Sequence, residues 1–208
     1  MTSDHLVRHL QTDQYGKFRL TDAIRPAFDL AVVPSEGYRL ERYEEPAAAF
    51  SIPVIAAAVS RERLFDCFLS LLEPLGDLVN VVLETSHETS GSVHADLHRE
   101  AIDRPVLESH FWDFQDLLTN DGCTGVAVAA AEQPMEVQFD EHKLLIVYAH
   151  DLRPFQEVLE QNGITRNDSL RLITEAEHLH TSDARYLEEF AQLSSRLGAA
   201  LASEHVNG

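Results

Sequence analysis

The chain has 208 residues and is 44% hydrophobic, which suits a single domain with a core of its own. Its 35 Asp and Glu against 16 Lys and Arg give a formal charge of -19, which repels phosphate backbones and anionic membranes and argues against nucleic-acid or membrane partners. Two cysteines, Cys67 and Cys123, build no disulfide framework and fit a reduced, cytoplasmic protein.

Residues 1–20 carry Asp4, His5, Arg8, Asp13 and Lys17 and lack the apolar run of a signal peptide. The least polar stretch, 47–60, is interrupted by Pro53 and is far short of a membrane span. Residues 4–10 suit one or two helical turns, and 16–20 and 37–43 alternate like short strands. The segment 1–46 is therefore expected to form an irregular extension packed on a main domain over 47–201, followed by a frayed tail over 202–208.

Residues 52–59 form a continuous apolar run, which predicts a buried strand. Ser60 is placed to cap a helix whose stripe is Leu64, Phe65, Phe68, Leu71, Leu72 and Leu75, closed by Pro74 and Gly76. Residues 78–83 predict the next strand, and 84–92 a polar loop. A helix is expected from Ser92 to about Asp103, then a second one opened by Pro105 and lined by Leu107, Phe111, Phe114, Leu117 and Leu118. Three strands in a meander follow at 125–131, 135–139 and 144–149, with turns at Glu132-Gln133-Pro134 and Asp140-Glu141-His142. Asp151 caps a helix ending at Asn162-Gly163, residues 170–174 predict a last strand, and Ser182 or Asp183 opens a final helix.

The order β-α-β-α-α-β-β-β-α-β-α predicts an α/β fold, with α+β as the variant. It implies a mixed sheet of about five to seven strands covered by about four to five helices.

No Gly-rich phosphate loop, Gly-x-Ser-x-Gly elbow or Cys-x-x-Cys pair occurs. The 11 histidines carry most of the chemical signal. His87 follows the 78–83 strand. His94 and His98 share a face if 92–103 is helical, and His178 and His180 share a face if extended. These five are candidate ligands for a divalent transition metal such as zinc, with Glu88, Asp96, Glu175 or Glu177 completing a site. Ligands of α/β sheets collect beyond the carboxyl ends of parallel strands. Three polar exits, 84–88, 150–151 and 175–178, meet at one edge if their strands run side by side. The acid/base candidates at those exits are Glu84, His87, His150 and Glu177. Cys123 is a weaker candidate nucleophile, with His150 as its base, and Cys67 reads as core. His110 falls on an inward stripe, and Trp112 falls off it, where an indole suits a protein contact.

Two readings of function follow. One is an acidic binding or regulatory module acting through a protein partner or as a homodimer. The other is a small metal-dependent or acid/base enzyme with a His/Glu site at the strand ends. A mimic of nucleic acid needs carboxylates in phosphate-spaced rows, which the sequence lacks.

Overall fold

The computed structural model describes residues 10–45, 50–87 and 95–201. Its strands and helices run in the order β1 (Gln14–Tyr15), β2 (Phe18–Arg19), β3 (Ile24–Pro26), β4 (Gly37–Glu45), β5 (Phe50–Ala58), α1 (Arg61–Leu72), β6 (Leu78–Thr85), β7 (Ala95–Asp103), α2 (Arg104–Asp113), α3 (Gln115–Asn120), β8 (Thr124–Ala130), β9 (Glu136–Phe139), β10 (Leu145–Tyr148), α4 (Arg153–Gln161), β11 (His178–His180), α5 (Ala184–Leu197) and β12 (Ala200–Leu201). Helices and strands are interspersed throughout, as an α/β chain requires. Residues 1–9 and 202–208, with the readings made on them, lie outside the described residues.

The main sheet has eight strands in the order β12-β7-β6-β8-β9-β10-β5-β4. Every ladder in it is antiparallel, which corrects the expected mixed sheet of five to seven strands. The reason lies in the connections. Short turns join β8 to β9 and β9 to β10, and a tight turn can only reverse the chain. The α1 crossover carries β5 to β6, but β8, β9 and β10 insert between them, so no parallel pair forms.

Alternation along the strands sorts the core into two layers. Ile55, Ala57, Val81, Leu83, Val126, Val128, Val137, Phe139, Leu145 and Val147 face the helices, together with Phe68, Leu71, Phe111, Phe155 and Phe190. Ala56, Ala58 and Leu144 face the other way, onto Phe18, Leu20, Ile24, Leu170, Leu172 and Ile173. The helices therefore cover one face, and the N-terminal strands with residues 170–173 cover part of the other. Phe68 anchors the helical layer, with Phe139 at 5.0 Å and Phe111 at 5.6 Å between ring centroids.

Three local expectations are corrected. Residues from Ala95 to Asp103 form a strand, not a helix. They pair with β6 from Thr85↔Ala95 to Leu78↔Asp103, with a register shift between Val79 and Val81. Ala101 takes φ 53 at this bulge and its N–H donates to Asn80 Oδ1 at 2.9 Å, which re-aims Ile102 into the core. Residues 37–45, read as part of an extension, pair along their length with β5 as an edge strand. Residues 170–174 make no strand. Leu170 and Leu172 pack inward before a 3₁₀ turn at Ile173–Glu175, and the strand falls later, at His178–His180, paired with β3.

Asp183 caps α5 by accepting from the Arg185 N–H at 2.9 Å, and Gly198 closes it in the left-handed region at φ 64. Asp183→Ala is expected to lower the unfolding free energy by about 1 kcal/mol, read from urea denaturation.

Candidate metal centre

Antiparallel pairing decides which strand ends meet. The end of β6 lies beside the start of β8, through Thr85↔Thr124. The β9–β10 hairpin turns at the same edge, because Phe139 pairs with both Val126 and Leu145. The exit of β10 lies at the opposite edge, where Tyr148 pairs with Val54 and Glu136. The predicted meeting of three exits is thus corrected: the 84–87 exit meets a hairpin, while His150 stands exposed at the far end.

That hairpin is locked by Asp140. Its Oδ1 accepts from the Leu144 N–H at 2.8 Å, its backbone carbonyl accepts from the Lys143 N–H, and Lys143 takes φ 61. Asp140 Oδ2 accepts from His142 Nδ1 at 2.9 Å. His142 is thereby held against β11. The antiparallel pairing with Ile24 and Pro26 sets His178 and His180 two residues apart, on one side of that strand.

The three imidazoles form a closed triangle. Ring centroids are 4.9 Å apart for His142–His178, 4.9 Å for His142–His180 and 5.2 Å for His178–His180. One ligating nitrogen from each lies within 4.8 Å of the other two. Each Nδ1 is committed to an acceptor: Asp140 Oδ2 for His142, the Ala176 carbonyl at 2.8 Å for His178, and the Gly122 carbonyl at 2.6 Å for His180. A carbonyl only accepts, so the proton sits on Nδ1 and the Nε2 lone pair remains for a metal. Metal-binding histidines are oriented in this way, by a carboxylate or carbonyl behind the ring. Zinc with nitrogens at about 2.0–2.1 Å holds them about 3.4 Å apart, a spacing within the reach of this triangle.

Two glycines make room for this edge. A Cβ at Gly122 would lie 2.5 Å from the Ala23 carbonyl and 2.9 Å from that of Thr181, so only glycine lets the 121–123 turn reach β3 and β11. A Cβ at Gly125 would meet Glu84 Oε2 at 3.0 Å.

A cavity of about 400 Å³ opens beside His142, with Glu84, Asp96, Asp140 and Glu141 on its walls. Glu84 is half-buried and opposite Asp96 across the β6–β7 ladder. Burial raises its carboxyl above the ordinary range, and the charges of Asp96, Glu136, Asp140 and Glu141 raise it further. Burial disfavours the charged form of His142, but the Asp140 hydrogen bond and the charges of Asp140 and Glu141 outweigh it and raise its pKa.

A second polar knot adjoins the first. His87 Nδ1 pairs with Thr85 Oγ1 at 2.8 Å, and its Nε2 lies 3.2 Å from Asp121 Oδ2 and 3.1 Å from Ser182 Oγ. Asp121 is fully buried and also accepts from Thr124 Oγ1 at 2.5 Å and from the Cys123 N–H at 3.3 Å. Lys143 Nζ, buried beneath this turn, donates to the Thr124 carbonyl at 2.7 Å. Burial brings its ammonium down to about 8.

Of the metal candidates read from sequence, the structure brings together His178 and His180. His87 sits in the neighbouring knot. His98 is exposed on β7, opposite Val82 and Ala200, outside the triangle. His94 and Glu88 lie outside the described residues. Glu175 is spent on ion pairs with Arg39 and Arg171, and Glu177 is exposed. Cys123 is half-buried with His87 rather than His150 beside it, and Cys67 is core, its thiol pushed up to about 12 by burial. His110 is half-buried. Trp112 is 53% exposed and packs edge-on against Phe65 at 5.0 Å. The third histidine of the triangle, His142, escapes the sequence reading because it sits in a hairpin turn. Its one sequence signal is the Asp140-x-His142 spacing, which lets the carboxylate reach back to the ring.

Comparison with protein-family models, with the curated proteins and with the solved structures finds no match to this chain. Among the described residues no helix is long and apolar enough to cross a membrane.

Asp140→Asn keeps the size of the side chain but removes the charge behind His142. It is expected to weaken zinc binding about 10- to 100-fold without unfolding the chain, measured by calorimetric titration.

Proposed function

We propose that the chain is a metal-dependent enzyme whose ion sits on His142, His178 and His180. The observation that carries this is the triangle of imidazoles with all three Nδ1 atoms paired to acceptors. Three histidines leave the fourth position of a tetrahedral ion open, which is the arrangement of catalytic rather than structural zinc. The reaction class that suits it is hydrolysis by metal-activated water. Glu84, on the wall of the adjoining cavity and raised in pKa, is the general base. The acidic walls disfavour anionic substrates and suit neutral or cationic ones. A protein-docking module is the second reading, which the 53% exposure of Trp112 favours.

Zinc titration of metal-stripped protein tests the reading. Binding at micromolar zinc of which one equivalent is lost in His142→Ala supports it. Unchanged zinc binding in His142→Ala, or none in the unaltered chain, refutes it. Glu84→Gln is expected to retain zinc and lose at least 100-fold in hydrolysis of small ester or amide substrates.

A further inference from the structure

The turn that presents the Gly122 carbonyl to His180 has Asp121 on one side of that glycine and Cys123 on the other. We infer that His87, Asp121 and Cys123 form a second transition-metal site, which takes a borderline-soft divalent cation through one imidazole nitrogen, one carboxylate oxygen and one thiolate sulfur. Their ligating atoms lie within 4.8 Å of one another. The set mixes nitrogen, oxygen and sulfur donors, which suits zinc or cobalt and not magnesium or calcium.

Two further observations point to a cation here. Asp121 has no exposed surface, yet its hydrogen-bond donors are neutral groups and His87: Thr124 Oγ1, Ser182 Oγ and the Cys123 N–H. No guanidinium or ammonium among the described residues donates to it, and the Lys143 ammonium, whose charge acts on it, is bonded to the Thr124 carbonyl. A divalent ion sets a full charge directly against this buried carboxylate, which is otherwise met by hydrogen bonds and, at a distance, by the Lys143 ammonium. In addition, Thr85 Oγ1 behind Nδ1 fixes the His87 ring with Nε2 toward Asp121.

No hydrogen bond joins the Cys123 thiol to His87, whose nitrogens are engaged by Thr85, Asp121 and Ser182. On binding, the ion displaces the thiol proton of Cys123 to solvent, and the neutral His87 ring carries its proton on Nδ1, toward Thr85 Oγ1, so that the Nε2 lone pair takes the ion. This site shares no ligand with the three-histidine centre.

Cobalt(II) titration of the full chain separates the two sites, because only the second holds sulfur. The near-ultraviolet thiolate-to-cobalt charge-transfer band is expected to saturate within two equivalents, with the intensity of one thiolate per chain. Cys123→Ser is expected to abolish it, Cys67→Ser to leave it, and His87→Gln to weaken cobalt binding at least tenfold by that band. The visible cobalt bands of the three-histidine centre persist in Cys123→Ser and disappear in His142→Ala. Absence of a charge-transfer band in the unaltered chain, or a band that survives Cys123→Ser, overturns the inference whatever happens at the histidine centre.

Discussion

Alanine at both His178 and His180 is expected to raise the zinc dissociation constant of the three-histidine centre at least about 1,000-fold. Losing an orienting partner behind a ligand costs about 10–100-fold, and here two ligands are removed outright. Fold loss does not confound the result. Both side chains lie on a three-residue strand that is held to β3 by its backbone, so the ladder needs neither imidazole. His178→Ala/His180→Ala is therefore expected to melt within a few degrees of the unaltered chain when both are metal-free. Calorimetric titration reads the affinity and thermal unfolding reads the fold. An unchanged dissociation constant would remove the proposed centre.

Asp121→Ala is expected to have the largest effect on stability, a loss of about 3–5 kcal/mol measured in chelator. The carboxylate ties three segments together: the exit of β6 through His87, the start of β8 through Thr124, and the approach to α5 through Ser182. Its removal leaves the Thr124 hydroxyl buried without that acceptor and cuts the half-buried His87 and the exposed Ser182 loose from it. Burial by itself would raise the Asp121 carboxyl, but hydrogen bonds from His87, Ser182 and Thr124 hold it below the ordinary range. With the folded pKa below the unfolded one, this stabilisation is fully present above the unfolded value of about 4 and is lost as the pH falls through the folded value. Asp121→Asn should accordingly flatten the acid limb of the stability profile and destabilise less than alanine. An acid limb of unchanged steepness in Asp121→Asn would show that the charge of Asp121 contributes nothing to folding.

The Asp121 knot and the histidine triangle share a backbone link. The Gly122 N–H donates to the Thr181 carbonyl at 2.8 Å, while the Gly122 carbonyl holds His180. The packing that makes glycine obligatory at 122 is thus also what places an acceptor behind the His180 ring. In the sequence, Asp121-Gly122-Cys123 reads only as a helix stop and turn, because the approach of Ala23 and Thr181 involves residues about 100 and 60 positions away.

Sequence alone determined whatever depends on neighbours within a turn or two. The periods of α1, α4 and α5, the Pro105 start of α2, the Asp183 cap and the meander of β8, β9 and β10 are all set by local spacing and turn chemistry. So was the pairing of His178 with His180, since extended chain repeats every two residues. Tertiary structure decided the rest. Residues 95–103 carry a mixed pattern that fits helix or strand, and the exposed edge of β6, with a bulge at Ala101, made them a strand. Strand direction is invisible in composition, so the expected gathering of parallel exits gave way to an antiparallel sheet that sends His150 to the far edge. The same reversal brings the Asp140–His142 turn against His178 and His180. A metal centre needs lone pairs within a few ångströms of one another, and only the folded chain sets distances between residues this far apart in sequence.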